Sequence, residues 1–251
     1  QIKIKSGGCG MRNVFFLLVF GLNYALAQLT ADEILKKADD VSYAPKDQFY
    51  KAKVTLIDKG GRESHRTALM YQKGTHKRFV KFTDPAEIRG IGFLSLPEDV
   101  NYVYLPAFKK SRRIASHIKN QNFAGTDFTY EDMEALTYSE KWKPELLRSD
   151  ERYYVLKLTP REGRQSDYSK LVMYVRTDNF YPEKIEYYDK GGNLLKILTR
   201  RKIEKVGNYW IAFETEMKDV RKNHTTLLVL EDVKLDTNLS DEIFTLRNLE
   251  R

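Results

Sequence analysis

A chain of 251 residues, 41% of them hydrophobic and 12% aromatic, can build one all-β domain or at most two smaller ones around a real core. Its formal charge of +8 arises from 43 basic and 35 acidic residues spread along the whole length, a solvated globular surface rather than a basic tail. Sixteen Tyr and thirteen Phe favour strands, and the single cysteine, Cys9, excludes a disulfide framework.

The first segment reads as an export signal. Met11-Arg12-Asn13 precedes an apolar run from Val14 to Leu22, and Ala25-Leu26-Ala27 supplies the small-residue cleavage site of a signal peptide over 11–27. Nine residues between Asn13 and Asn23 are too few for a helix to cross a bilayer core. Removal of residues 1–27 takes away Lys3, Lys5, Arg12 and Cys9 and no acid, so the charge of the remainder falls by three to +5. No cysteine follows the apolar run, so the mature chain over 28–251 is expected to be soluble, not lipidated and a monomer.

Thr30-Ala31-Asp32-Glu33 has the spacing of a capping box and predicts a helix over 30–42. Ile34, Leu35, Ala38 and Val41 form its apolar stripe, with Lys36, Lys37, Asp39 and Asp40 outside it, and Pro45 ends it. From Phe49 the period becomes two. Strands are predicted at 49–58, 63–72, 76–83, 92–96, 100–105, 111–118, 152–159, 169–177, 183–189, 193–204, 208–218 and 224–235. Gly60-Gly61, Gly191-Gly192 and Gly207-Asn208 mark hairpin turns. Thr129-Tyr130-Glu131-Asp132 opens a second, short helix to about residue 138, and Lys143-Pro144 closes that interruption. About a dozen short strands without a linker or repeat argue for one sandwich or barrel domain. Leu171 to Val175 and Leu227 to Leu230 are apolar on both faces, yet two helices cannot cover a sheet of that size. Either the core lies on both sides or one face lines a cavity.

Enzyme chemistry finds little support. The histidines (His65, His76, His117, His224) stand apart, and no HExxH, GxSxG or P-loop occurs. Gly90-Ile91-Gly92 lacks the third glycine of a phosphate loop and reads as a bend. Glu131 and Asp132 occupy a helix first turn, where a carboxylate offsets the dipole. No cofactor is called for, and no metal. Lys109, Lys110, Arg112 and Arg113 form a basic cluster beside Tyr102, Tyr104 and Phe108. Those aromatics have the period of a packed strand rather than of a base-stacking groove, which speaks against nucleic acid. The cluster is either a charge-protected strand edge or a surface that docks anionic headgroups or an acidic partner.

Five blocks in order, FTDPAEIRGIGFL (82–94), YVYLPAFKKSRRI (102–114), FAGTDFTYEDM (123–133), YYDKGGNLLK (187–196) and LSDEIFT (239–245), resemble the outer-membrane lipoprotein-sorting proteins, relatives of the LolA/LolB carriers. The resemblance implies a mainly β fold: an incomplete, strongly curved antiparallel barrel of about 11–12 strands. Helices 30–42 and 129–138 would then be its lid. It also implies a periplasmic carrier that shields acyl chains of a lipoprotein or lipid on the way to the outer membrane. An inner-membrane exporter complex is an expected partner. Apolar residues in or near these blocks, Phe93, Leu94, Tyr104, Phe123, Phe128, Met133 and Met173, are the candidate cavity contacts. The alternative is a non-enzymatic partner module of a lipid or efflux exporter that carries no lipid.

Overall fold

The computed structural model describes residues 29–251. The signal peptide expected at 11–27 lies outside the described residues. The fold opens with α1 (Ala31–Ser42), where the Thr30 side chain caps the Glu33 amide and Glu33 returns a bond to the Thr30 amide. Ile34, Leu35 and Ala38 are buried as the stripe requires. Asp39 departs from expectation. It is only 3% exposed, because its carboxylate turns inward and accepts from the amides of Tyr138 and Ser139 at 2.9 and 2.8 Å.

Thirteen strands follow: β1 (Asp47–Ile57), β2 (Glu63–Lys73), β3 (Lys77–Asp84), β4 (Gly92–Leu96), β5 (Val100–Leu105), β6 (Lys110–Arg113), β7 (Trp142–Ser149), β8 (Tyr153–Pro160), β9 (Lys170–Arg176), β10 (Pro182–Tyr188), β11 (Leu194–Val206), β12 (Tyr209–Asp219) and β13 (His224–Leu235). They make one antiparallel sheet in the order β6-β5-β4-β3-β2-β1-β13-β12-β11-β10-β9-β8-β7. All neighbours are consecutive in the chain except β1 and β13, whose pairing joins the two halves. The sheet curls without closing, since β6 and β7 remain its two edges. The incomplete barrel that the family resemblance implies is the fold observed, with thirteen strands where about 11–12 were expected.

Three predicted boundaries change. The strand β7 was hidden by Pro144, which breaks a ladder; at the last strand of the sheet its missing N–H can face away from the only partner, β8. The strand expected at 111–118 is only four residues long, because a 3-10 turn takes over at Ser116–Ile118. The helix expected to run to 138 is two single turns, α2 (Tyr130–Met133) and α3 (Tyr138–Lys141), each with its own capping box from Thr129 and Thr137. Between them Glu134 leaves the helical region, with ψ of 139°.

The chain leaves the β6 edge at Arg113 and reaches the β7 edge at Trp142. That traverse lies inside the curl and builds its filling. Phe123, Tyr130 and Met133 pack on Val54, Val80, Phe82 and Phe93 from the β1–β5 half. On the other half, α1 packs Ile34, Leu35 and Ala38 against Leu156, Met173, Ile185 and Met217. Phe128 touches both clusters. On the outer face, the C-terminal 3-10 turn Asp241–Phe244 and α4 (Leu246–Leu249) bury Phe244 and Leu249 against Phe79 and Leu94. Each fully buried side chain of this size contributes about 1.5–3 kcal/mol. Gly92 is required by this contact: a Cβ there would sit 2.7 Å from a methyl of Leu249.

Candidate ligand cavity

Period-two alternation decides what faces the inside. On β3, Arg78, Val80 and Phe82 point inward, while Phe79 joins the outer cluster. On β11, Lys196, Leu198 and Arg200 point inward in the same way. Between these walls lies a cavity of about 320 Å³ that the lid does not fill. Its apolar lining comes from both sides: Val54, Ala68 and Phe82 from one half, and Leu198, Ile211 and Leu228 from the other. The volume is near the lower end of small-molecule sites, which run from about 300 to 1,000 Å³.

The lid that bounds the cavity is held by charge. Among the described residues three of its carboxylates are each matched by a lysine from another element. Glu131 meets Lys141 at 2.8 Å. Glu134 meets Lys141 at 2.9 Å and Lys119 at 2.7 Å. Asp132 pairs with Lys196, and Tyr168 donates to its second oxygen at 2.9 Å. Burial pushes the Glu134 carboxyl up despite its two lysines. Burial opposes the charge of Lys141 as well, but Glu134 and Glu131 outweigh it and raise its pKa. The Asp39 carboxyl is likewise pushed up by burial, against the Ser139 and Tyr138 bonds that hold it down. Arg78 ties the wall to the lid, donating to the carbonyls of Met133 at 3.1 Å and Glu134 at 3.3 Å.

Of the candidate contacts, Phe123, Phe128 and Met133 line the cavity. Phe93 and Met173 are fully buried on the same inner face, in the walls behind it. Leu94 and Tyr104 lie elsewhere: both pack on the outer face with the C-terminal turns. Alternation along β4 separates Phe93 from Leu94. Glu131 and Asp132 do occupy the first turn of α2, as expected, and they have a second role there. Asp132 does close the capping box, yet both carboxylates are buried against lysines. Arg78 and Arg200 were missed, since a lone arginine inside a strand carries no local signal.

The four basic residues are exposed at the β6 edge, and none of them makes an ion pair among the described residues. Arg112 stacks over Phe108 at 4.3 Å, and Phe108 is itself 56% exposed. The register sets Arg112 beside Val103 and Arg113 beside Tyr102, so the cations project from both faces of the edge. Glu250 accepts from the Ser111 amide at 2.9 Å and anchors this strand to the C-terminus. The histidines are dispersed, with His224 on Asp127 at 2.8 Å and His76 on Glu140 at 2.7 Å. No group of three or more His, Cys, Asp or Glu converges as a metal site among the described residues. No described helix is long and apolar enough to cross a membrane.

An open, curled antiparallel sheet around a lidded interior defines the half-barrel class of protein. Solved structures agree. A domain described as an outer membrane lipoprotein-sorting protein from Vibrio parahaemolyticus is 27% identical, with a TM-score of 0.78 over 86% of this chain and 98% of that one. A DUF1329 family protein from Desulfovibrio piger is 25% identical, with a TM-score of 0.81 over 87% and 97%. A LolA superfamily protein from Nitrosomonas europaea is 25% identical, with a TM-score of 0.74 over 88% and 100%. A family model described as an uncharacterized protein matches residues 74–251. No curated protein matches the sequence. The chain belongs to a LolA-like family.

Proposed function

We propose that the protein is an exported, non-enzymatic carrier that shields acyl chains of a lipoprotein or lipid in transit through the periplasm towards the outer membrane. The observation that carries this reading is the cavity itself. A mostly apolar space of about 320 Å³ lies between two sheet walls, and hydrogen bonds and ion pairs hold the lid over it beside the packing of Phe123, Tyr130 and Met133. Apolar walls hold a chain without catalysis, at ~0.8 kcal/mol for each buried CH₂. Release then requires the lid to move, and its polar contacts can re-form elsewhere when it does. Cargo contacts fall to Phe123, Phe128 and Met133. The edge cations Lys109, Lys110, Arg112 and Arg113 dock on anionic headgroups or on an exporter complex in the inner membrane.

The test is binding of N-phenylnaphthylamine, a neutral apolar probe that fluoresces when taken out of water. Wild-type protein should bind it, and Leu228→Trp, which places an indole in the cavity, should lose most of that binding while keeping its fold. A folded wild-type chain that does not take up the probe would contradict the carrier reading and leave the exporter-partner module in its place.

A further inference from the structure

We infer that the cavity is built for an amphiphile with an anionic head, a carboxylate or a phosphate, seated against Arg78 and Arg200. This rests on the carrier reading and names its class of cargo.

The charges around the cavity divide unevenly. Its three carboxylates, Glu131, Asp132 and Glu134, are each engaged by lysine. Its two guanidiniums are not engaged by any carboxylate among the described residues. Arg78 donates to the Gln72 side chain at 2.7 Å and to the Met133 and Glu134 carbonyls, all neutral acceptors. Arg200 donates to the Pro182 carbonyl at 2.7 Å. A guanidinium carries five N–H donors, so most of those on Arg200 remain for the cavity it lines. Cations set into an apolar interior without a counter-charge are costly, and an anionic ligand relieves that cost. The planar fork of arginine matches a carboxylate or phosphate in two-point contact.

The polarity of the wall is graded. Gln48 of β1 pairs with Gln72 of β2, which pairs with Arg78 of β3, so three polar residues share one register row. Two residues along, the inward positions are Tyr50, Met70 and Val80. Further along they become Ala52, Ala68 and Phe82, with Val54 beyond them. Over these rows the cavity lining runs from polar to apolar in the same direction on all three strands; Arg66, the next inward position of β2 beside Val54, lies outside the lining, donates to the Ala124 carbonyl and stacks over Phe82. Tyr181 joins the polar end from the opposite wall: it and Arg78 both act on Tyr50, it lies under Arg200 at 6.0 Å, and it accepts from the Ala212 amide at 3.3 Å. Tyr138 and Tyr187 also lie beside Arg200. Guanidinium and phenol donors thus gather at one end, and hydrocarbon lies beyond them. That is the shape of a head site continuing into a tail site.

The experiment compares parinaric acid, a fluorescent fatty acid, with its methyl ester on the purified mature chain. The carboxylate should bind about tenfold more tightly than the ester, the scale of one charged hydrogen bond. Arg200→Gln should remove that preference and leave ester binding intact, while Arg200→Lys should keep part of it. Dodecanoate or dodecyl phosphate should displace bound parinarate where dodecanol does not, and the stronger of the two names the head. Equal affinity for acid and ester in the wild-type protein overturns the inference and leaves a carrier of neutral chains. So does displacement by neither anion. Binding of neither probe overturns the carrier reading together with the inference.

Discussion

Lys196 on β11 and Asp132 on α2 form an ion pair in which both side chains are only 3% exposed, and it joins the sheet wall to the lid. Two charges taken out of water gain little over an apolar pair, but removing one partner strands the other. Lys196→Met should therefore destabilise the fold by roughly 3–5 kcal/mol, while Lys196→Met with Asp132→Asn should cost clearly less than the two single changes summed. Urea denaturation of the four proteins measures this coupling. Simple additivity would mean that the pair does not act as a unit.

Arg78 fastens the end of α2 through two backbone carbonyls. Its loss removes charged hydrogen bonds worth about 1.5–3 kcal/mol, most of it local to the lid. Arg78→Leu should speed hydrogen exchange at the amides of residues 130–134 by tenfold or more on the basis of about 1.4 kcal/mol per decade. Amides of the β8–β9 core, on the far half of the sheet, should keep wild-type rates.

Charge reversal at the β6 edge separates docking from folding. Lys109, Lys110, Arg112 and Arg113 are exposed and lack ion-pair partners among the described residues, so replacing all four by Glu should change stability by less than about 1 kcal/mol. Sedimentation with vesicles rich in anionic lipid should fall sharply, and the wild-type association should weaken as salt rises. Unchanged association by the folded variant would leave the cluster as edge protection alone.

The outer C-terminal turns should come loose in acid. Hydrogen bonds from Lys73 and Lys77, each at 3.0 Å, hold the Asp241 carboxyl below its ordinary value. Bonds from Ser111 do the same for Glu250. A depressed carboxyl adds stability above its unfolded value, near 4, and that stability is lost as pH falls through the lower folded value. Exchange at the Leu249 and Glu250 amides should accelerate below about pH 4 beyond the change seen in the core. Asp241→Asn should exchange fast already at neutral pH and show a weaker pH dependence.

Strands and hairpins were legible because alternation and glycine turns are local signals. Twelve of the thirteen strands were visible, and Pro144 masked the other by breaking a rule that binds only inner strands. The two capping boxes at Thr30 and Thr129 were visible for the same reason. The site was less legible. Phe123, Phe128 and Met133, taken from their block, lie at the cavity, yet Leu94 and Tyr104 face outward, and no pattern announced that the C-terminal turns would cover that side. Arg78, Lys196 and Arg200 carry no local signal and gain their place only when β1–β13 pairing folds the two halves around one interior. Their meaning is non-local, and so is that of Asp39, which looks solvated on its own helix and caps another.

The most direct test of the carrier reading is mass spectrometry of an organic extract of the protein, purified without denaturation from cells that make it. Near-stoichiometric lipid or acylated peptide, reduced in the Leu228→Trp variant, is the predicted result. A well-folded chain that yields no amphiphile, and that takes up none when offered, would contradict the carrier account.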